Sequence, residues 1–277
     1  MKKMLTFFVA MLLLASTANA QLTSKKGIPV LPQAGDFALG VNALPMLEYL
    51  GNAMNGNTWN STHWDFVNGN QSIFGKYFLT DLTALRVGLR IGLTSLTEGV
   101  YVKDDFDATG EDQVLDKYTN KETNIYLSIG MEKRKGIYRM QGFYGAEAML
   151  GVMSESDSYV YGNEITSTNP MPTTHDFGYN IPMAGARVLN AKDGFGFMFG
   201  ARLFVGAEYF IFPKLSLGGE FGWGLGIMSR GDSKGTVEYW NIADAKVDEM
   251  ERLGGNGSGF SLDTDNYGGI IKILFHF

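Results

Sequence analysis

The stretch TALRVGLRIGL, residues 83–93, sets Leu85, Val87, Leu89, Ile91 and Leu93 on one side of an extended chain. Arg86, Gly88, Arg90 and Gly92, followed by Thr94, fall on the other. Alternation with period two is the mark of a β-strand, because successive side chains point to opposite faces. One face is wholly apolar, the other charged or tiny.

The same pattern returns along the chain. NIYLSIGME sets Ile125, Leu127, Ile129 and Met131 against Tyr126, Ser128, Gly130 and Glu132; GFGFMFGARLFVGAEYF and LSLGGEFGWGLGIM repeat it with Arg202, Glu208 and Glu220 on the glycine side. GGIIKILFHF, residues 268–277, sets Ile271, Ile273, Phe275 and Phe277 against Lys272 and His276, while GDFALGVNA, QSIFGKYFL and YRMQGFYGAEAMLGV are weaker members. Eight segments result. Their charged face is also their glycine-rich face, and a narrow interior demands small residues. The polar face therefore points in and the apolar face outward, the inverse of a soluble barrel.

The connections alternate in length. Residues 44–70, 97–122, 154–193 and 229–265 make long gaps, whereas 80–82, 134–137 and 212–214 make short ones. Long outer loops alternating with short periplasmic turns complete the expectation: an all-β, eight-stranded antiparallel transmembrane β-barrel filling residues 21–277.

The front of the chain agrees. MKKMLTFFVAMLLLASTANAQ has two lysines, an apolar run and an Ala-x-Ala site, which reads as a secretory signal peptide over residues 1–20. A dozen apolar residues are too few to span a bilayer as a helix. No cysteine occurs in the 277 residues, so disulfides and thiolate metal sites are excluded. The 36 glycines and 13% aromatic residues fit neither a disordered tail nor a helical bundle, and a net charge of -6 argues against nucleic acid.

Taken together, the eight alternating segments, acidic outer loops and terminal phenylalanine resemble the small outer-membrane β-barrel proteins of Gram-negative bacteria. AGDFALGVNALPMLEYLGN resembles the start of such barrels from the Bacteroidota. The resemblance implies the cell outer membrane as location, with its lipid and lipopolysaccharide as surroundings and other outer-membrane proteins as neighbours. It also implies that Phe275 and Phe277 carry the signal read by the barrel-assembly machinery.

Alternation places Lys76, Arg86, Arg90, Arg202 and Lys272 inside together with Glu132, Glu147, Glu208 and Glu220. A barrel of eight strands is just wide enough for side chains to fill, so these charges are expected to pair and plug it. The function expected is then structural, or a surface interaction made through the outer loops. A narrow, porin-like pore for ions or small solutes is the alternative.

Residues 97–122 carry eight acidic against three basic side chains, and 229–265 carry eight against four. DFDATGEDQVLD places Asp105, Asp107 and Asp116 at calcium-loop intervals but departs from that pattern at Thr109, Asp112 and Asp116, leaving a weak metal candidate. Arg230-Gly231-Asp232 is a triplet that chance supplies in a chain of this length. NIADAKVDEMERLGG, capped by Asn241, reads as a short helix with Val247, Met250 and Leu253 on one face, and PMLEYLGNAM, with Pro45 at its first turn, as another.

A barrel-embedded lipid-modifying enzyme or protease is the third reading, and it needs a base beside a hydroxyl. His63, His175 and His276 are the available histidines, in settings that match no hydrolase arrangement. The expectation is accordingly no enzyme, no cofactor and no catalytic residue.

Overall fold

The computed structural model describes residues 22–43, 54–56, 73–178, 185–264 and 270–277. Twelve strands occur there: β1 (Phe37–Asn42), β2 (Ile73–Thr80), β3 (Thr83–Lys103), β4 (Gln113–Ile137), β5 (Met140–Val160), β6 (Ala186–Lys192), β7 (Gly196–Phe212), β8 (Leu215–Arg230), β9 (Lys234–Asn241), β10 (Lys246–Leu253), β11 (Gly257–Thr264) and β12 (Ile270–His276). Antiparallel pairing runs β1–β2–β3–β4–β5–β7–β8–β12 and returns to β1. A ring closes through eight strands, and those strands are the eight alternating segments of the sequence. Closure leaves no ladder edge in the ring.

The other four strands prolong the ring. Met153 and Ser156 of β5 pair with Gly196 of β7 and Lys192 of β6, so β6 continues β7 across one extra residue. Arg230 pairs with Gly196 and Lys234 with Lys192, which makes β9 the continuation of β8. β10 and β11 then descend beside β9 and β8 toward β12. Such bulges bend a strand without ending its sheet.

Two expectations are corrected here. Residues 97–122 and 229–265, read as loops, are mostly strand: β3 and β4 stay paired up to Lys103 and Gln113, leaving 104–112 as the connection. NIADAKVDEMERLGG is no helix but the end of β9, a turn and β10. Asn241 does cap the turn, since its Oδ1 accepts the amides of Ala243 and Asp244 at 2.9 and 3.3 Å, and Ala245 takes a φ of 50°. The segment 45–50 of the other expected helix lies outside the described residues.

Burial follows the sequence parity. Along β3, Arg86 is 4% exposed while the outward Val87, Ile91 and Leu93 are 39%, 61% and 70% exposed. Phe197, Phe199, Leu203, Phe221, Trp223, Ile227 and Phe275 are likewise exposed, whereas Arg202, Glu208, Glu220 and Lys272 are buried. A water-soluble protein buries its apolar side chains and exposes its charges. This ring does the reverse.

Backbone register explains how large charged groups fit. Gly130 lies opposite both Arg86 and Glu147, Gly145 opposite Glu132, Gly206 opposite Glu220, and Gly218 opposite both Glu208 and Lys272. A Cβ on Gly145 would lie 1.9 Å from the Met131 carbonyl oxygen and 2.6 Å from the Phe204 ring. A Cβ on Gly219, whose parity is outward, would meet nothing within 4 Å. Gly145→Ala should therefore cost at least about 2 kcal/mol or prevent refolding, while Gly219→Ala refolds normally. Heat-modifiable gel mobility of the refolded chain checks both; equal behaviour would contradict this packing.

Candidate functional site: the charged interior and the outer lobe

Seven of the eight ring strands send a polar side chain into one connected cluster among the described residues. Lys76 of β2 bonds Glu132 of β4 at 3.0 Å and Glu208 of β7 at 3.1 Å. Arg86 of β3 reaches Glu220 of β8 at 3.0 Å, and also lies 3.6 Å from Glu132 and 3.8 Å from Glu147. Arg202 joins Glu147 at 2.9 Å to Glu220 at 3.0 Å, and Lys272 of β12 adds a third cation to Glu220 at 3.0 Å. Arg134 completes the set, 2.8 Å from Glu208 and 3.7 Å from Glu132. Five cations thus surround four carboxylates, nearly all with under a tenth of their side-chain surface exposed.

Phenylalanine rings fill the space between the charges. Arg86 lies 3.9 Å over Phe204, Lys272 3.7 Å over Phe74 and Lys76 4.8 Å over Phe143, while Arg134 sits between Phe78 and Phe210. Such faces attract cations most strongly where water is excluded. The gap bounded by Lys76, Phe143, Glu208, Glu220, Lys272 and Leu274 has no room for a water molecule. Beneath it Phe78, Phe210, Ala84, Ala38 and Leu274 form a dry floor. The segment before β1 is tied to that end through Asp36 to Lys214 at 2.7 Å and Ala34 to Asp81 at 2.8 Å.

The sequence missed Arg134 because β4 was taken to end at Glu132. Arg134 has the same parity, and the strand runs on to Ile137. It also missed the inward Phe204 and Phe210, which share a face with Arg202 and Glu208. Arg90 stands higher on β3, its guanidinium 5.8 Å from the Tyr126 ring centre.

A histidine and a hydroxyl do meet here. His276 Nε2 lies 2.9 Å from Ser216 Oγ and 3.0 Å from Glu208 Oε1. A catalytic triad uses both imidazole nitrogens, one for the hydroxyl and one for the carboxylate. Here Nε2 meets both partners and Nδ1 has no hydrogen-bond partner among the described residues. Ser216 is fully buried. The trio lies buried among the charges of the network.

Beyond the ring, the expected calcium ligands part company. Asp105 accepts Asn169 Nδ2 at 2.9 Å and the Thr173 amide at 2.7 Å. Asp107 accepts the amides of Thr109, Glu111 and Asp112. Asp116 is fully buried and holds the amides of Gly162 and His175, each at 2.8 Å. Each carboxylate is a cap for a different piece of chain, and no group of three or more acidic or histidine side chains among the described residues is placed to hold a metal. His175 packs its ring edge-on to Phe177 at 4.7 Å, in a cluster with Tyr118 and Tyr159. His63 lies outside the described residues. Arg230-Gly231-Asp232 spans the end of β8 and the link to β9, where Arg230 pairs with Asp193 and Asp232 accepts Asn256.

Tyr161 closes this lobe. Its hydroxyl donates to the Val188 carbonyl at 2.6 Å, and Arg187 lies 4.4 Å over its ring while pairing with Glu238 at 2.6 Å. Burial above all pushes the Tyr161 hydroxyl up to about 12. The Asp107 carboxyl is held well below the ordinary 3.8, first by the Asp112 amide and then by Thr109. Burial of Asp105 works against its ionisation, but Asn169 and Thr173 outweigh it and leave that carboxyl low as well.

Scans against protein-family models and against curated proteins find no match. Among solved structures, the outer membrane protein OprG from Pseudomonas aeruginosa aligns over 89% of this chain and 98% of its own, with 11% identity and a TM-score of 0.30. A likeness of that size carries no conclusion about this chain.

Two outcomes follow. Glu208→Ala strands the buried charges of Lys76 and Arg134 and should cost about 3–5 kcal/mol; Glu251→Ala, which breaks the exposed pair with Lys234, should cost under about 1 kcal/mol. Urea unfolding in lipid vesicles measures both. The depressed carboxyls of Asp105 and Asp107 contribute fully above their unfolded value near 3.8 and lose that contribution as the pH falls toward their folded values. Amide protection at Thr109, Glu111, Asp112 and Thr173 should be flat from about pH 7 to 4 and decline steadily below. Unchanged protection throughout would contradict the capping roles.

Proposed function

We propose that the chain is an outer-membrane β-barrel protein whose interior is plugged by its charge network, and that it acts as a structural or surface-interaction protein through the lobe beyond the ring. The observation that carries this reading is the inverted burial, charges inside and apolar side chains outside. On the outward face of β4, Lys121 and Lys133 bracket Thr123, Ile125, Leu127, Ile129 and Met131. The twelve steps between them, at about 3.4 Å each, span about 40 Å of strand, or about 30 Å along the axis at a tilt of about 40°. That matches a hydrocarbon core of about 30 Å. Tyr77, Tyr144 and Tyr209 lie outward toward the end with the short turns, as an interfacial girdle requires.

In this reading, residues 1–20 direct export, the short turns at 81–82, 138–139 and 213–214 face the periplasm, and the lobe faces outward. Outer-membrane lipid and lipopolysaccharide are the immediate surroundings, neighbouring outer-membrane proteins the candidate partners, and Phe275 with Phe277 the handle for the barrel-assembly machinery. Kinship with barrels of the Bacteroidota rests on AGDFALGVNALPMLEYLGN alone. The dry interior supports a plug over a pore, and the His276 geometry supports a non-catalytic role.

Single-channel recording of the refolded chain in a planar bilayer tests the reading, with insertion verified by gel mobility. The chain and its Glu220→Gln variant should both be silent. A steady conductance whose ion preference changes in the variant would establish a pathway through the ring and overturn the plug.

A further inference from the structure

Charge is sorted by face along the three longest strands. Every acidic side chain of β3, β4 and β5 has the inward parity, Glu98, Glu122, Glu155 and Asp157 among them. The charged side chains of outward parity are all lysines: Lys103, Lys117, Lys121, Lys133 and Lys135. In a chain of net charge -6, this part of the wall carries only positive charge on its outer face.

Ladder register gathers the upper lysines. Ser95 pairs with Lys121, Lys121 with Ser156, Ser156 with Lys192 and Lys192 with Lys234, a single row across β3, β4, β5, β6 and β9. Directly paired residues share a face, so three lysines stand outward on four neighbouring strands, with a serine between the first two. Two residues further along each strand, Thr97, Thr119, Ser158, Asn190 and Thr236 form an unbroken row of hydroxyl and amide groups. Within it the Thr97 and Thr119 hydroxyls lie 3.0 Å apart.

Two features call for an anionic, lipid-borne occupant. Lys192 and Lys234 stand directly opposite each other, an arrangement of like charges that destabilises a bare sheet. Glu251 meets Lys234 at 3.1 Å, whereas Lys121 and Lys192 have no ion-pair partner among the described residues. Neighbouring strands lie about 4.8 Å apart, so the Lys121 and Lys192 backbones are separated by about 10 Å, which two long side chains can close around one phosphate. The second feature is the level of the row. Lys121 marks the upper edge of the apolar span, and two rows below it stand Ile91, Ile125, Val152 and Phe197. An occupant with acyl chains below, phosphate at the lysines and sugar hydroxyls at the polar row satisfies all three layers.

We propose that Lys121, Lys192 and Lys234, with the hydroxyl row beyond them, form a docking band for the phosphate groups of one lipopolysaccharide molecule whose acyl chains lie on the apolar face below. The band rests on the outer-membrane reading and adds to it one defined lipid position, between β3 and β9.

Titration of the chain, refolded in detergent, with fluorescently labelled lipopolysaccharide and with the same glycolipid after enzymatic dephosphorylation tests this. Dephosphorylation, and separately the Lys121→Gln/Lys192→Gln double substitution, should each weaken binding about tenfold or more. Lys135→Gln, at the end with the short turns, should bind as the parent does. All three positions are exposed, and gel mobility verifies that each variant folds. Excess inorganic phosphate should leave the complex in place; its displacement, beyond that by chloride at equal ionic strength, would mark a bare-anion site and overturn the band. Equal affinity for the two glycolipids, or full affinity in the folded double variant, would also overturn it. Vesicle insertion of the same chain keeps the two readings apart: a chain that inserts but ignores the phosphates loses the band alone, and one that never inserts loses both.

Discussion

Glu208 and Glu220 impose the constraint on which the structure depends. Each is a buried carboxylate neutralised by cations that arrive from distant parts of the chain: Lys76 and Arg134 at Glu208, Arg86, Arg202 and Lys272 at Glu220. The pairs Lys76–Glu208 and Arg86–Glu220 span 132 and 134 residues. Burying an ion costs several kcal/mol, and that cost is offset only when its partners are in place. The first strands of the ring must therefore meet the last before the interior is tolerable. A slip of one residue in any strand would send its charges to the outer face, so the network also fixes register.

Packing follows from the same constraint. Room for five cations and four carboxylates exists because glycines stand opposite them across the ladders, and phenylalanine faces complete a dry contact with the cations. Higher in the ring, glycine continues and methionines of β5, β7 and β8 share the interior with Arg90 and Tyr126; higher still come acidic and amide side chains. One scaffold of alternating residues thus carries a sealed charged layer and, above it, acidic and amide side chains beneath a lobe held by aspartate caps.

Much of this was legible in the sequence. All eight ring strands show their alternation because each has one apolar outward face and one face against a crowded interior. Eight of the interior charges expected from parity, among them Lys76, Glu132 and Lys272, converge as that parity requires. The prolonging strands β6, β9, β10 and β11 were hidden because their sequences mix charged and apolar residues on both faces, and the period of two fades. Residues 241–253 illustrate the failure: Asn241 is a true cap, but of a β-turn, and Val247, Met250 and Leu253 mimic a helical spacing on a strand where Val247 and Leu253 share one face and Met250 takes the other. Arg134 escaped because residues 134–137 were read as a turn, whereas β4 runs on to Ile137. The capping partners of Asp105 and Asp116 lie 46 to 68 residues away, beyond any local pattern.

The absence of cysteine gives the most direct test of the inverted ring, since any cysteine introduced is unique. Nitroxide labels placed singly from Leu85 to Thr94 in the bilayer-reconstituted chain report collisions with oxygen, which concentrates in lipid, and with a water-soluble nickel chelate. The account requires oxygen accessibility to rise at Leu85, Val87, Leu89, Ile91 and Leu93 and to fall at the alternate positions. Odd-numbered positions that meet the nickel chelate instead, or labels without a period of two, would contradict it.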